Sequence, residues 1–224
     1  MDFQPFLLTF ELALVTTGIL FVIGLPLSFW LYQARFRTKL IVEAILTLPL
    51  VLPPSVLGFY LLLALSPENA FGSFLSSTFD IQLVFTFEGL VVASVIYSLP
   101  FMVQPILSGL RTLPASLAEA SYSLGKGKWK TLWKVLLPNI KASLITAGIL
   151  SFAHTIGEFG VVLMVGGNIP GETRVVSVAI YDEVEAMNYE MATRHSGILL
   201  IVSFVLLVSV YLSNYLLQKK TLVA

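Results

Sequence analysis

Cysteine is absent from the 224-residue chain, which excludes disulfides, thiolate metal sites and thiol nucleophiles. Charge is scarce as well. Only 12% of residues are Asp, Glu, Lys or Arg, against about 25% in soluble domains, while 57% are hydrophobic and the mean hydropathy is +0.90. That balance identifies an integral membrane protein, expected to form one transmembrane domain over residues 1–224. The 13 basic and 13 acidic residues cancel, so net charge selects no partner and a nucleic-acid ligand is not expected. Internal repeats and low-complexity segments are missing. So are a Ser-His-Asp set, paired catalytic carboxylates and a nucleotide-binding fold, so the chain offers no catalytic residues and is not expected to be an enzyme. The start, Met1-Asp2-Phe3-Gln4-Pro5, lacks the basic region of a signal peptide, and no Ala-x-Ala-like site follows; the first apolar run is expected to remain in the mature protein.

What is present is apolar length. About 20 apolar residues cross a bilayer core of about 30 Å, and five stretches qualify: roughly Phe6 to Tyr32, Leu40 to Leu65, Phe87 to Leu110, Ile140 to Val165 and Ser196 to Leu217. With five spans, Arg35, Arg37, Lys39, Arg111, Lys126, Lys128, Lys130, Lys134, Lys141, Lys219 and Lys220 fall on one side, leaving Arg174 and Arg194 on the other. Lysine and arginine favour the cytoplasmic side, so the N-terminus is expected outside and the C-terminus inside.

Between the third and fourth spans lies a polar island, Pro114 to Pro138. Its sequence implies helix, turn, helix. Pro114 and a Ser116-x-x-Glu119 capping box open the first helix, Gly125-Lys126-Gly127 makes the turn, and Pro138 limits the second. The lysines of this island also suit anionic lipid headgroups; the glycine spacing is wrong for a phosphate-binding loop. On the opposite side, the segment 166–195 opens with the turn cluster Gly166-Gly167-Asn168-Ile169-Pro170-Gly171. The spacing of Val176, Ala179, Ile180, Val184 and Met187 then predicts an amphipathic helix at the outer interface.

Inside the spans, two features need a reason. Pro49, Pro53 and Pro54 fall within six positions of the second span and should bend or unwind it, with Pro100 and Pro105 a weaker case in the third. Such a break persists where protein or a water-lined cavity satisfies the freed backbone, so Pro53, Pro54 and Ser55 either fill a packing kink or line a translocation path. Glu158, flanked by Gly157 and Gly160, and His154 one turn earlier are expensive groups at membrane depth. They are expected to share a helix face and to be able to hydrogen-bond each other, as a packing pair or as a gate. Two such ligands do not make a metal site. No lysine or arginine sits in the middle of a span, so the chain is expected to hold no tight anion site of its own.

The island carries a family resemblance. Glu119-Ala120-Ser121, then Gly125, then Leu136-Leu137-Pro138 resembles the coupling loop of ABC-importer permease subunits, with Ser121 where the family usually has alanine. Leu48-Pro49-Leu50-Val51-Leu52-Pro53-Pro54, Gly157-Glu158-Phe159-Gly160 and Gly167-Asn168-Ile169-Pro170-Gly171-Glu172-Thr173-Arg174 are similar to the molybdate-type branch. The resemblance implies an all-α, type I importer permease in the bacterial inner membrane, with a coupling loop at about 112–138. It implies a homodimer, two separate ATPase subunits that use ATP and Mg, and an extracytoplasmic molybdate-binding protein. No cofactor is expected on this chain. Glu119, Ala120, Gly125, Leu137 and Pro138 would couple to the ATPase; Pro53, Pro54, Ser55 and Glu158 would line the path or gate. Some relatives carry an additional N-terminal span, for which this chain is expected to have no room. Molybdate, tungstate and sulfate are all tetrahedral dianions, and the residues do not separate them. Two other classes stay open on the residues alone: an ion-coupled transporter using His154 and Glu158 as a proton relay, and a membrane scaffold for a cytoplasmic partner.

Overall fold

The computed structural model describes residues 3–34 and 36–222, with side chains as far as Tyr215. Arg35 of the first loop lies outside the described residues, as do the side chains of Lys219 and Lys220. The described part is helical. Three helices are long and apolar enough to cross a membrane unaided: α1 (Gln4–Gln33), α5 (Phe87–Thr112) and the last helix, α12 (Tyr189–Leu222). At 1.5 Å per residue, α1 alone reaches about 45 Å. Two bent helix pairs, Lys39–Val51 with Pro54–Leu65 and Lys128–Asn139 with Lys141–Ile156, bring the number of candidate spans up to five by length and composition; only the second helix of the latter pair falls in the expected stretch Ile140 to Val165.

The second span is broken. α2 (Lys39–Val51) and α3 (Pro54–Leu65) meet at a bend of 113°. Pro49 sits within α2 without ending it; the break falls at Leu52-Pro53. Pro53 and Pro54 carry no N–H, so they open α3 while leaving fewer unpaired donors than any other pair of residues. Both helices of the pair meet α5 or its approach. Glu43 of α2 accepts a hydrogen bond from Arg111 at one end of α5 (2.6 Å), and Leu65 of α3 packs with Leu83 and Ala93 near the other. α5 itself is continuous through Pro100 and Pro105. Between these spans, α4 (Ala70–Phe79) is a short helix that ends at Asp80 in the left-handed region.

The polar island folds as α6 (Ala115–Ser123), a turn, and a second helical segment of α7 (Lys128–Thr131), a π-turn (Leu132–Leu136) and α8 (Leu137–Asn139). The expected capping box does not form. Pro114 is the N-cap, no side chain caps the helix, and Ser116 stands one residue inside it. Pro138 does not end the second helix either. It lacks the donor an α-helix needs there, the Leu137 N–H reaches back five residues to the Leu132 carbonyl, and the helical segment runs on to Asn139. At Ile140 the chain bends by 83° into α9 (Lys141–Ile156).

The expected fourth span is also interrupted. α9 covers about 24 Å and stops at Gly157, and α10 (Gly160–Gly166) takes up the expected stretch after Glu158 and Phe159. After the glycine-rich turn comes α11 (Val176–Glu185), shorter than the expected helix. Its inward face is Val176, Val178 and Ala179, while Val184 and Met187 are exposed, because the helix ends at Glu185 and Met187 takes a left-handed conformation outside the stripe.

Packing centres on α1, α5 and α9, with α3 laid against α10 and α12 against α9 and α11. One core cluster joins Leu20, Leu25 and Phe29 of α1 to Met102, Ile106 and Leu110 of α5, and on to Ala118, Leu132, Leu136 and Leu137 of the island. The island is therefore seated on the spans by buried leucines. Most of α12, by contrast, is exposed along its length.

Candidate functional site

Two places in the fold gather the residues singled out by sequence. The first is at membrane depth, where the two broken spans abut at their breaks. A Cβ added at Gly160 would stand 2.9 Å from the Pro54 Cβ and 3.1 Å from the Ser55 backbone nitrogen, and one added at Gly58 would meet the Val161 Cα at 3.0 Å. Only glycine lets these backbones come so close. Beside this contact is an open cleft of about 510 Å³, lined by Pro54, Ser55, Tyr97, His154, Glu158 and Gly160 among others. Pro53 is the N-cap of α3 and stands outside the lining. Among the described residues, no lysine or arginine borders the cleft.

Glu158 is 3% exposed. Its Oε2 accepts a 2.8 Å hydrogen bond from the Ser94 hydroxyl of α5, and its Oε1 finds no donor among the described residues. The Ser177 hydroxyl of α11 donates to the Glu158 carbonyl, tying the break to that helix. His154 and Glu158 do not bond each other, because the helix that would align them ends between them. His154 Nδ1 shares a 2.9 Å hydrogen bond with the Ser98 hydroxyl, and its ring stacks on Phe101 with centroids 3.9 Å apart. Ser98 also meets Thr155 Oγ1 at 3.1 Å.

Ser94 and Ser98 are thus the partners that sequence reading missed. Their signal was a four-residue spacing of small polar groups on one face of an apolar span, legible only once a reason to look at that face exists. The arrangement presents hydroxyls, an imidazole and one carboxyl along the seam of two interrupted helices. Among the described residues, no three histidine or acidic side chains gather as a metal site.

The second place is the island. α6 ends in a Schellman turn: the Lys126 N–H bonds the Ser121 carbonyl (3.1 Å), the Gly125 N–H bonds the Tyr122 carbonyl (2.9 Å), and Gly125 sits at φ +73°. Ser121 and Thr131, both buried, lock the two helical pieces together through their hydroxyls at 2.9 Å. Ser121, where the resembled family usually has alanine, therefore has its own task. Glu119, Ala120, Gly125 and Pro138 are exposed, whereas Leu137 is 6% exposed and belongs to the core under the island. Leu137 holds the knob in place rather than presenting a surface. Leu124, at 76% exposed, crowns the turn.

Comparison with known proteins places the chain in a family. Residues 21–222 match the family model described as the binding-protein-dependent transport system inner membrane component. Over 213 residues, 95% of this chain and 94% of the relative, the sequence is 47% identical to the molybdenum transport system permease protein ModB of Azotobacter vinelandii. It is 33% identical to the sulfate transport system permease protein CysT of Escherichia coli K12 over 84% of this chain and 68% of that one. A crystal structure of a bacterial alginate ABC transporter, in complex with its alginate pentasaccharide-bound periplasmic protein, contains a chain that superposes with a TM-score of 0.71. The match covers 97% of this chain and 80% of that one at 17% identity.

Proposed function

The chain belongs to the binding-protein-dependent transport system inner membrane component family, and from that membership we propose that it admits molybdate, or the similar tungstate, to the cytoplasm by alternating access. It is a permease subunit of an ABC importer with the type I fold, and ATP is hydrolysed by a separate subunit. In the proposed assembly two copies of the chain form the pathway at their interface. Two ATPase subunits, with ATP and Mg, bind at the lysine-rich end, and a molybdate-binding protein docks at the other. The N-terminus then lies outside and the C-terminus in the cytoplasm, consistent with eleven of the thirteen lysines and arginines on the cytoplasmic side.

The observation that carries the mechanism is the seated knob. Glu119, Ala120 and Gly125 project from a helix pair whose buried side, Ala118, Leu132, Leu136 and Leu137, belongs to the same core as α1 and α5. A push on the knob moves packed leucines as a body, and through them the spans. The hinge for such motion is available where both broken spans meet, at Leu52-Pro53 and Gly157-Glu158-Phe159. In this reading Pro54, Ser55 and Glu158 line the path or its gate. The lack of lysine and arginine beside the cleft suits weak, transient contact with a dianion and leaves selection to the binding protein. The 47% identity to a molybdenum permease, against 33% to a sulfate permease, supports molybdate over sulfate.

The test is ATP hydrolysis by the chain reconstituted in liposomes with its ATPase, on addition of binding protein loaded with molybdate, tungstate or sulfate. Stimulation with molybdate effective at the lowest concentration is expected. Stimulation by sulfate alone would move the assignment to the sulfate branch, and a stable, active complex with no stimulation by any of them would overturn it.

A further inference from the structure

All three tryptophans of the chain, Trp30, Trp129 and Trp133, lie at its lysine-rich end. They are 45%, 58% and 60% exposed. Trp129 packs on Phe29 at the end of α1 with ring centroids 5.8 Å apart, and Trp30 on Phe36 at 5.6 Å. The segment Lys128–Asn139 that bears two of them stands at 83° to α9, the helix that enters the membrane beyond it, so it runs along the bilayer surface rather than through it. Leu132 and Leu136 are fully buried against the bundle, while Trp129, Lys130, Trp133 and Lys134 are all exposed, the indoles and the ammonium groups recurring one turn apart. Exposed indoles interleaved with exposed ammonium groups, on a segment anchored to the bundle by leucine, are the chemistry that suits the headgroup layer.

We propose that Lys128–Asn139 is a seat on the anionic lipid surface, with the indoles of Trp129 and Trp133 in the headgroup layer and Lys130 and Lys134 on lipid phosphates. The occupant of this face is the membrane rather than the ATPase, which meets the turn around Gly125 on the other side of the same knob. The seat gives the knob a fixed height above the bilayer, so a push delivered at Glu119 tilts the knob instead of sinking it. Anionic headgroups are the favoured lipid because Lys128, Lys130 and Lys134 lie on this segment and Lys141 just beyond it, while the acid of the island, Glu119, lies on the other helix.

The experiment uses the full chain, with Trp30→Phe to leave the two reporters, in nanodiscs of phosphatidylcholine. A small fraction of brominated phosphatidylglycerol or brominated phosphatidylcholine is included as quencher. Tryptophan emission should be quenched by both, and at least about twofold more efficiently by the anionic lipid. Lys130→Gln with Lys134→Gln should equalise the two lipids while leaving helicity and elution unchanged, since both side chains are exposed. Absence of quenching, or equal quenching by the two lipids in the parent chain, would overturn the proposal. Loss of quenching on adding the ATPase subunit would assign the face to that protein instead. A Lys130→Arg, Lys134→Arg pair, which keeps the charge, should restore the anionic preference.

Discussion

Glu158 is held by one hydroxyl. Ser94 supplies its hydrogen bond, Ser177 fixes its backbone carbonyl, and the second carboxyl oxygen is buried with no donor among the described residues. A side chain needed only for packing would be replaced without functional loss by an isostere that keeps the same acceptor. Glutamine retains an oxygen for Ser94 and fills the same volume. Glu158→Gln is therefore expected to leave the assembled complex intact and to lower uptake by about tenfold, the equivalent of one well-placed hydrogen bond of ~1.4 kcal/mol. The check is transport into liposomes alongside copurification with the ATPase; loss of assembly would make the residue a structural one. His154 is anchored separately to Ser98 and Phe101, which argues against a proton relay running directly between the two side chains.

At the scale of elements, the turn of the knob is the most exacting. Gly125 has open space where a Cβ would go, yet its φ is +73°, so substitution there acts through the backbone alone. Valine in the left-handed region costs more than the ~1–2 kcal/mol of an ordinary L residue, whereas asparagine enters it readily. Gly125→Val should abolish substrate-stimulated ATP hydrolysis while the chain still inserts, and Gly125→Asn should retain most of it. Equal activity of the two variants would detach the turn from coupling. This turn was legible from sequence because two glycines punctuate a polar stretch. So was the break at Pro53, where missing donors leave the helix no alternative. The break at Glu158 was not, since Gly157-Glu158-Phe159-Gly160 sits in an apolar run long enough to be read as one helix. What interrupts it is tertiary: α3 presses its first turn against Gly160, and Ser94 and Ser177 capture the residue between. The capping box at Ser116 failed for a local reason, because Pro114 already occupies the cap position.

For the whole molecule, the absence of cysteine becomes an experimental convenience. A single introduced thiol reports its side of the membrane without background, and the proposed topology places Lys128 inside and Glu172 outside. Lys128→Cys in intact cells should resist a membrane-impermeant maleimide until the membrane is opened, while Glu172→Cys should react at once; the reverse pattern would invert the orientation. The same two ends differ in how they are closed. At the lysine-rich end the two helical pieces of the knob are locked locally, Ser121 to Thr131 across ten residues. At the other end the first N–H of α11, on Val176, is satisfied by the hydroxyl of Thr9, 167 residues earlier in the chain (2.8 Å). During synthesis α1 is made first and α11 nearly last, so Thr9 waits through the emergence of most of the protein before its partner exists. The knob can take shape on α1 and α5, which precede it in the chain, but the opposite end closes only after Val176 has been made. A nascent chain stalled before Val176 would thus carry a closed lysine-rich end and an open opposite one.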